Sequence, residues 1–169
     1  GWGEAALIRR LVDKKDFEQT LVLYQRHHAK ALLSGVEFLP GAQKLLEFLR
    51  NQKIHLAIAS NRPSRFTKLI IKTMGMRKFF RKVVCADNVA RPKPAPDMLN
   101  FILSSFHLSS KEVLYVGDMT IDVKTGKRAK IKTVAVTTGS SSVDEIIQVK
   151  PYKIIHKIMD VKKILREEN

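Results

Sequence analysis

Residues 54–61 read Ile-His-Leu-Ala-Ile-Ala-Ser-Asn, and residues 113–122 read Val-Leu-Tyr-Val-Gly-Asp-Met-Thr-Ile-Asp. Each segment is a short apolar run with β-branched residues that stops at small polar or acidic residues. This pattern is typical of a buried strand in a parallel sheet, with chemistry placed where the strand ends. Because ligands of open α/β sheets bind outside the carboxyl ends of the strands, we expect both polar ends to face one pocket.

A proline-rich segment between these two runs carries a lysine. Residues 91–97 read Arg-Pro-Lys-Pro-Ala-Pro-Asp. Proline disfavours a helical conformation in the residue before it, so Arg91, Lys93 and Ala95 are expected in a stiff loop. We expect this stiffness to hold without help from the Lys93 side chain. A fixed cation, a hydroxyl and a carboxylate pair together suit a bound phosphate with a divalent metal.

Strands and helices alternate from Pro40 to the end of the chain. This alternation predicts an α/β fold with a parallel sheet covered by helices on both faces. The predicted strands are residues 54–59, 82–85, 113–116, 133–136 and 152–155. The predicted helices are residues 41–51, 63–74, 96–106, 121–129 and 143–149, with a last one after Asp160.

The first part of the chain has a helical pattern. Residues 4–12 place four apolar side chains on one helical face, and Asp16 is a candidate N-cap for a longer amphipathic helix. Residues 35–41, Gly-Val-Glu-Phe-Leu-Pro-Gly, then break the pattern and predict a linker. The apolar face of the longer helix is predicted to contain Phe17, Leu21, Tyr24, His28 and Leu32.

Composition limits the class of protein. A chain of 169 residues with 44% hydrophobic content can bury one core and a small accessory piece. The single cysteine, Cys85, excludes an internal disulfide and is expected to be a small buried residue. No apolar stretch approaches the roughly 20 residues that span a bilayer, so we expect no membrane partner and a cytoplasmic location.

The net charge of +15 allows two interpretations. Lysine and arginine could neutralise the phosphates of a nucleic acid. However, the basic residues are scattered, and no arginine-rich run or basic strand with interleaved aromatics occurs. Solvated helix faces are therefore preferred, by a narrow margin, and a nucleic-acid partner is not expected. A positive potential would also attract small phosphorylated substrates. The oligomeric state stays open.

Three motifs resemble the haloacid dehalogenase superfamily, and within it the phosphoglycolate-phosphatase-like branch. They are Ser60-Asn61 after the first apolar strand, Lys93-Pro94-Ala95-Pro96-Asp97, and Gly117-Asp118-Met119-Thr120-Ile121-Asp122. They occur in the order of that family's second to fourth motifs, each at a strand end. The resemblance extends from about Leu39 to Val161. It implies a Rossmann-like core with an inserted helical cap.

The first motif of that family is absent. It is an apolar strand followed by Asp-x-Asp-Gly, whose first aspartate attacks phosphorus and whose second acts as general acid and base. No Asp-x-Asp occurs in the sequence, and Asp13 and Asp16 have the wrong spacing. In the family fold this strand is central, and its loss would leave unpaired backbone groups in a buried sheet. We therefore expect a truncated protein, with residues 1–35 as a partial cap and residues 36–169 as a core lacking its first strand.

The resemblance assigns the carboxylates of the fourth motif to a metal. Asp118 would be a Mg²⁺ ligand, because Mg²⁺ prefers oxygen donors and takes one or two carboxylates with phosphate and water. The alternative for Asp118 is a cap for the following helix. Asp122 would face the same ion, directly or through water. The alternative for Asp122 is a surface carboxylate paired with Arg128 or a lysine.

The other motif residues would contact the phosphate. The Ser60 hydroxyl would donate to a phosphate oxygen, with the backbone N–H of Asn61 helping, although a strand-end turn would also explain a serine. Lys93 would offset charge on the transferred phosphoryl group. Residues 1–4 could form a substrate-specificity loop around Trp2. No histidine is expected to bind a metal.

The function implied by the resemblance is Mg²⁺-dependent hydrolysis of a small phosphate monoester through an aspartyl-phosphate intermediate. Covalent catalysis of this kind divides the hydrolysis into two steps. Without the nucleophile, the 169 residues are expected to be inactive. Two alternatives stay open: an inactive relative that binds a phosphorylated ligand or a protein partner, and a phosphomutase.

Overall fold

Two parallel sheets lie side by side in the computed structural model, which describes residues 4–167. The strands are β1 (Leu56–Ser60), β2 (Phe80–Cys85), β3 (Leu114–Gly117), β4 (Lys132–Val136) and β5 (Lys153–Ile155). The first sheet pairs β1 with β2, and the second has the order β3-β4-β5. All neighbouring strands are parallel, as the alternating pattern predicts.

Helices connect the strands and precede them. They are α1 (Glu4–Leu11), α2 (Phe17–Ser34), α3 (Ala42–Asn51), α4 (Ser64–Thr73), α5 (Asp97–Phe106), α6 (Thr120–Arg128), α7 (Val143–Gln148) and α8 (Val161–Glu167). The predicted helices and strands of the core are confirmed, each to within two residues at either end. Such agreement is expected where each apolar run is bounded by proline, glycine or polar residues.

Helices cover both faces of the second sheet. Successive side chains of a strand point to opposite faces of the sheet, and β4 buries the side chains on both faces. Val134 packs in a cluster with Leu45 and Leu49 of α3, whereas Ala135 packs with Val123 of α6 and with α7. The predicted α/β fold with helices on both faces is therefore confirmed. Cys85, 1% exposed at the end of β2, is the small buried residue expected of it.

The N-terminal helices pack on the core through α2 and α4. Leu32 is buried and Tyr24 and His28 are half-buried, so the predicted apolar face of α2 is the face that packs. Asp16 precedes α2 as predicted, but its side chain makes no capping hydrogen bond. Asp16 therefore occupies the predicted N-cap position without a capping hydrogen bond, because its backbone is not extended as that of a capping residue normally is. The division of the chain into cap and core at residue 35 stays a prediction.

A gap separates the two sheets, and we call it the slot. Within residues 4–167, β1 pairs only with β2 and β3 pairs only with β4, so each has a second edge without a strand neighbour. Residues 54–61 and 113–119 line one cavity of about 1080 Å³ along the full length of both strands. Separately, no helix between residues 4 and 167 is long and apolar enough to cross a bilayer.

Candidate functional site

The carboxyl end of β1 is joined to the lysine loop through Asn61. This residue is 6% exposed, and its amide makes two hydrogen bonds with the backbone of Lys93. Nδ2 donates to the Lys93 carbonyl at 3.0 Å, and Oδ1 accepts from the Lys93 N–H at 2.9 Å. The Asn61 side chain therefore positions the loop. The neighbouring Ser60 Oγ accepts from the Arg62 N–H at 3.1 Å, which leaves its own hydroxyl proton able to donate.

Two further contacts fasten the loop that carries Lys93. Arg91 donates to both carboxylate oxygens of Asp97, at 3.2 and 2.9 Å. Arg128 of α6 donates to the Pro94 carbonyl at 3.0 Å. In addition to its prolines, the loop is thus held by Asn61, which follows β1, and by side chains of α5 and α6, so the Lys93 side chain extends from a fixed backbone.

The Lys93 ammonium lies in a buried triangle with Tyr115 and Asp122. Lys93 Nζ donates to Tyr115 Oη and to Asp122 Oδ1, both at 2.8 Å. Tyr115 donates to the same carboxylate oxygen at 2.8 Å. The side chains of Lys93 and Asp122 are only 9% and 6% exposed, so this ion pair is largely removed from solvent.

The second oxygen of Asp122 is also occupied. Oδ2 accepts from the backbone N–H groups of Asp118 at 3.2 Å and Met119 at 3.1 Å. Asp122 is therefore buried, so the predicted surface location is wrong, whereas its predicted pairing with a lysine is confirmed by Lys93. Arg128 binds the loop instead. A Cβ added at Gly117 would lie 2.3 Å from the Cβ of Asp122, so only glycine allows this close approach.

The triangle keeps Asp122 charged and Tyr115 neutral. Burial alone would raise the pKa of Asp122, but the charge of Lys93 and the hydrogen bonds from Lys93, Tyr115 and the Asp118 N–H lower the pKa overall. Burial, followed by the charge of Asp122, raises the pKa of Tyr115 well above its ordinary value. Tyr115 therefore stays protonated and able to donate a hydrogen bond at neutral pH.

Asp118 differs from Asp122 in its exposure and in the hydrogen bonding of its carboxylate. It is exposed, and within residues 4–167 its carboxylate takes part in no hydrogen bond or ion pair. A Cβ at Gly139 would fall 2.3 Å from Asp118 Oδ2, so only glycine allows the chain at position 139 to pass this close to the carboxylate. The alternative that Asp118 caps α6 is not supported, because the capping position belongs to Met119.

A Mg²⁺ ion fits Asp118, which offers hard oxygen donors. Between residues 4 and 167, no group of three or more His, Cys, Asp or Glu side chains is placed to hold a metal. Mg²⁺ does not need such a group, because it takes one or two carboxylates together with phosphate and water. Asp122 as a direct ligand stays a prediction, since both of its oxygens are already engaged by protein donors.

One cavity thus brings together a hydroxyl from Ser60, a cation from Lys93 and an open carboxylate from Asp118. This set can bind a phosphate and neutralise its charge. Sequence reasoning did not identify Tyr115, although a buried tyrosine hydroxyl normally requires a partner. Nor did it identify the role of the Asn61 side chain. The specificity loop predicted at residues 1–4 lies, except for Glu4, outside the described residues.

Comparison with known proteins agrees with these motifs. The family model described as "Haloacid dehalogenase-like hydrolase" matches residues 1–136. The chain belongs to this family. A phosphoglycolate phosphatase of Pseudomonas savastanoi pv. phaseolicola is 28% identical over 98% of this chain and 62% of its own length. A phosphoglycolate phosphatase of Pseudomonas putida KT2440 is 30% identical over 82% of this chain and 54% of its own length.

The fold is shared with solved structures. A crystal structure from Haemophilus somnus 129PT, described as a predicted phosphoglycolate phosphatase, superposes with a TM-score of 0.86 at 24% identity. It covers 91% of this chain and 68% of that one. The chain spans little more than half the length of the curated relatives named above. The predicted superfamily and fold are confirmed by these matches.

Proposed function

We propose that this chain forms the phosphate- and metal-binding part of a Mg²⁺-dependent phosphatase that hydrolyses small phosphate monoesters, phosphoglycolate among them. The observation that carries the proposal is the buried Lys93–Asp122–Tyr115 triangle placed beside Ser60 and Asp118. Mg²⁺, held by Asp118, would supply positive charge to the phosphate oxygens. The names of the related phosphatases support the same substrate class.

The residues have separate roles in this proposal. Ser60 donates its hydroxyl proton to a phosphate oxygen, and Lys93 offsets the negative charge of the phosphoryl group. Asp122 and Tyr115 hold the ammonium in place, while Asn61 fixes the backbone from which the lysine extends. Rigid placement matters because a free lysine loses rotamer entropy when it is fixed on a ligand.

The nucleophile is proposed to come from a strand that these 169 residues do not contain. Ser60 and Asp118 have other roles, and no other carboxylate of the described chain combines an open oxygen with a position at the carboxyl end of β1 or β3. An extended apolar segment in the slot would pair with the open edges of both strands and satisfy their backbone groups. Its carboxyl end would then reach the cavity between Ser60 and Asp118.

Hydrolysis would proceed in two steps. A carboxylate oxygen at the end of the added strand attacks phosphorus, and the ester oxygen leaves with a proton from a second carboxyl group. Water, which gives a proton to the second carboxylate, then attacks the phosphoryl group of the aspartyl phosphate; the phosphorus–oxygen bond to the aspartate breaks, phosphate is released and both carboxyl groups return to their starting state. The residues of this chain bind, orient and neutralise the phosphate in both steps.

Peptide addition tests this proposal directly. Purified residues 1–169 are assayed with Mg²⁺ and a panel of phosphate monoesters, alone and with a synthetic peptide of five apolar β-branched residues followed by Asp-x-Asp-Gly. The matched control peptide carries asparagine in place of the first aspartate. We expect turnover only with the aspartate peptide, and binding of both peptides.

Two results would contradict the proposal in different ways. Metal-dependent turnover by residues 1–169 alone, above that of an Asp118→Ala variant, would show that the nucleophile is already present. Binding of the aspartate peptide without any turnover would favour the alternative of an inactive relative that binds phosphorylated ligands.

A further inference from the structure

His28 of α2 lines the cavity and packs against two aromatic rings. The rings of Tyr24 and His28 are stacked, with centroids 5.2 Å apart and an interplanar angle of 12°. The edge of Phe66 from α4 meets His28 at 4.9 Å and 84°. Phe66 is 4% exposed, so it forms a fixed support. His28 is thus held between α2 and α4 while it lines the same cavity as Ser60.

A cation without a carboxylate partner lies in the same cavity. Arg62 follows Ser60 by two positions and lines the cavity. Between residues 4 and 167, no carboxylate lies within ion-pair distance of its guanidinium. The nearby Arg65 differs, because its Nη2 donates to Glu4 Oε1 at 3.0 Å. Arg65 does not line the cavity. The two arginines therefore differ in their surroundings although they are three residues apart.

The protonation of His28 depends on its charged neighbours in the cavity. Burial lowers the pKa of His28, the charge of Arg62 lowers the pKa further, and Glu4 acts in the opposite direction. The imidazole is therefore neutral at neutral pH and donates one N–H. Arg10 and Glu4 of α1 also line the cavity, so this wall carries a second positive side chain and one carboxylate, whose Oε1 accepts from Gln25 and Arg65.

We propose that Arg62, with His28 beside it, binds a second anionic group of the substrate, a carboxylate, while Ser60 and Lys93 hold the phosphate. This inference rests on the proposed phosphatase function and adds the residues that select the substrate. A guanidinium matches a carboxylate through two parallel hydrogen bonds. The neutral imidazole can donate to the same group without repelling the guanidinium.

Ser60 and Arg62 are two positions apart in the chain and line the same cavity, so one ligand can contact both side chains. A molecule that carries a phosphate and a carboxylate, such as 2-phosphoglycolate, suits this pair.

Two ligands of nearly equal size, of which only one has a carboxylate, distinguish the contribution of the carboxylate to binding from that of the phosphate. Calorimetric titration of residues 1–169 with Mg²⁺ compares 2-phosphoglycolate with ethyl phosphate, which has a methyl group in place of the carboxylate. We expect the wild-type chain to bind 2-phosphoglycolate more tightly by about tenfold or more, which is typical of a charge-assisted hydrogen bond. Arg62→Gln should remove this preference. His28→Phe, which keeps the ring packing but removes the N–H, should reduce it by about threefold.

Arg65→Gln is the matched control, since it removes one positive charge three residues away and outside the cavity. It should leave the ratio of the two affinities unchanged. The inference is overturned if Arg62→Gln weakens both ligands equally, because Arg62 would then be a general phosphate contact, or if the preference survives the substitution. Absence of binding of either ligand, and of inorganic phosphate, to the wild-type chain would overturn the proposed function itself, and this inference with it.

Discussion

Replacing Lys93 by alanine tests the buried ion pair on which the site depends. The substitution removes the ammonium 2.8 Å from Asp122 and leaves a carboxylate whose side chain is 6% exposed. Removing one partner of a buried pair costs about 3–5 kcal/mol. Because Tyr115 and two backbone N–H groups still donate to Asp122, we expect a smaller loss, about 2–3 kcal/mol in the free energy of unfolding.

Urea denaturation of residues 1–169 at pH 7 measures this loss. Lys124→Ala is the control, because Lys124 is an exposed lysine of α6 and should change the free energy of unfolding by less than about 0.5 kcal/mol. A loss for Lys93→Ala no larger than that of the control would refute the argument from burial.

The same variant has a defined pH dependence. Since the pKa of Asp122 is lowered in the folded protein, its ionised form stabilises the fold above the unfolded value of about 3.9. This stabilisation is lost as the pH falls through the folded pKa. In Lys93→Ala the carboxylate takes up a proton more readily, so the difference from wild type should shrink as the pH falls from 5 to 3. A difference that is constant over this range would contradict the assignment to Asp122.

Three further predictions concern the same region. Asp118→Asn should weaken Mg²⁺ binding, measured by calorimetry, more than Asp122→Asn does, because only Asp118 has oxygens that no protein donor occupies; equal losses would mean that both are ligands. Gly117→Ala should lower the free energy of unfolding by about 1–3 kcal/mol, since its Cβ would lie 2.3 Å from that of Asp122, and an unchanged urea midpoint would show that β3 can shift. Asn61→Ala should lower the melting temperature and weaken phosphate binding together, because the Lys93 backbone loses two hydrogen bonds; a melting temperature equal to wild type would argue against a role in holding the loop.

Much of the fold could be predicted from patterns of residues that are neighbours in the sequence. The strand that ends at Ser60 and the strand that ends at Gly117 are short apolar runs with polar residues after them, and the prolines around Lys93 mark a loop. These features depend on neighbours in sequence, so the sequence alone is sufficient to detect them. Ser60 and Asp118 reach one cavity because parallel strands end at the same edge, whereas Lys93 lies on a loop that Asn61 holds in place.

Contacts between residues that are far apart in the chain could not be predicted from these local patterns. The sequence predicts that the Lys93 side chain is dispensable for folding, whereas the structure pairs it with Asp122, 29 positions away. Tyr115 is indistinguishable by pattern from the apolar residues around it. The ring stack of His28 with Phe66 depends on how α2 meets α4, and no periodicity within either helix contains that information.

The slot has a consequence for the way in which the protein opens. Hydrogen-bonded sheets transmit cooperativity from strand to strand, and here that transmission stops between β1 and β3. Within residues 4–167, the two halves are therefore coupled through side chains alone, namely the Asn61–Lys93 hydrogen bonds and the apolar clusters that both sheets share. Backbone amides along the facing edges of β1 and β3 should exchange by local opening, and a strand seated in the slot would protect both edges at once.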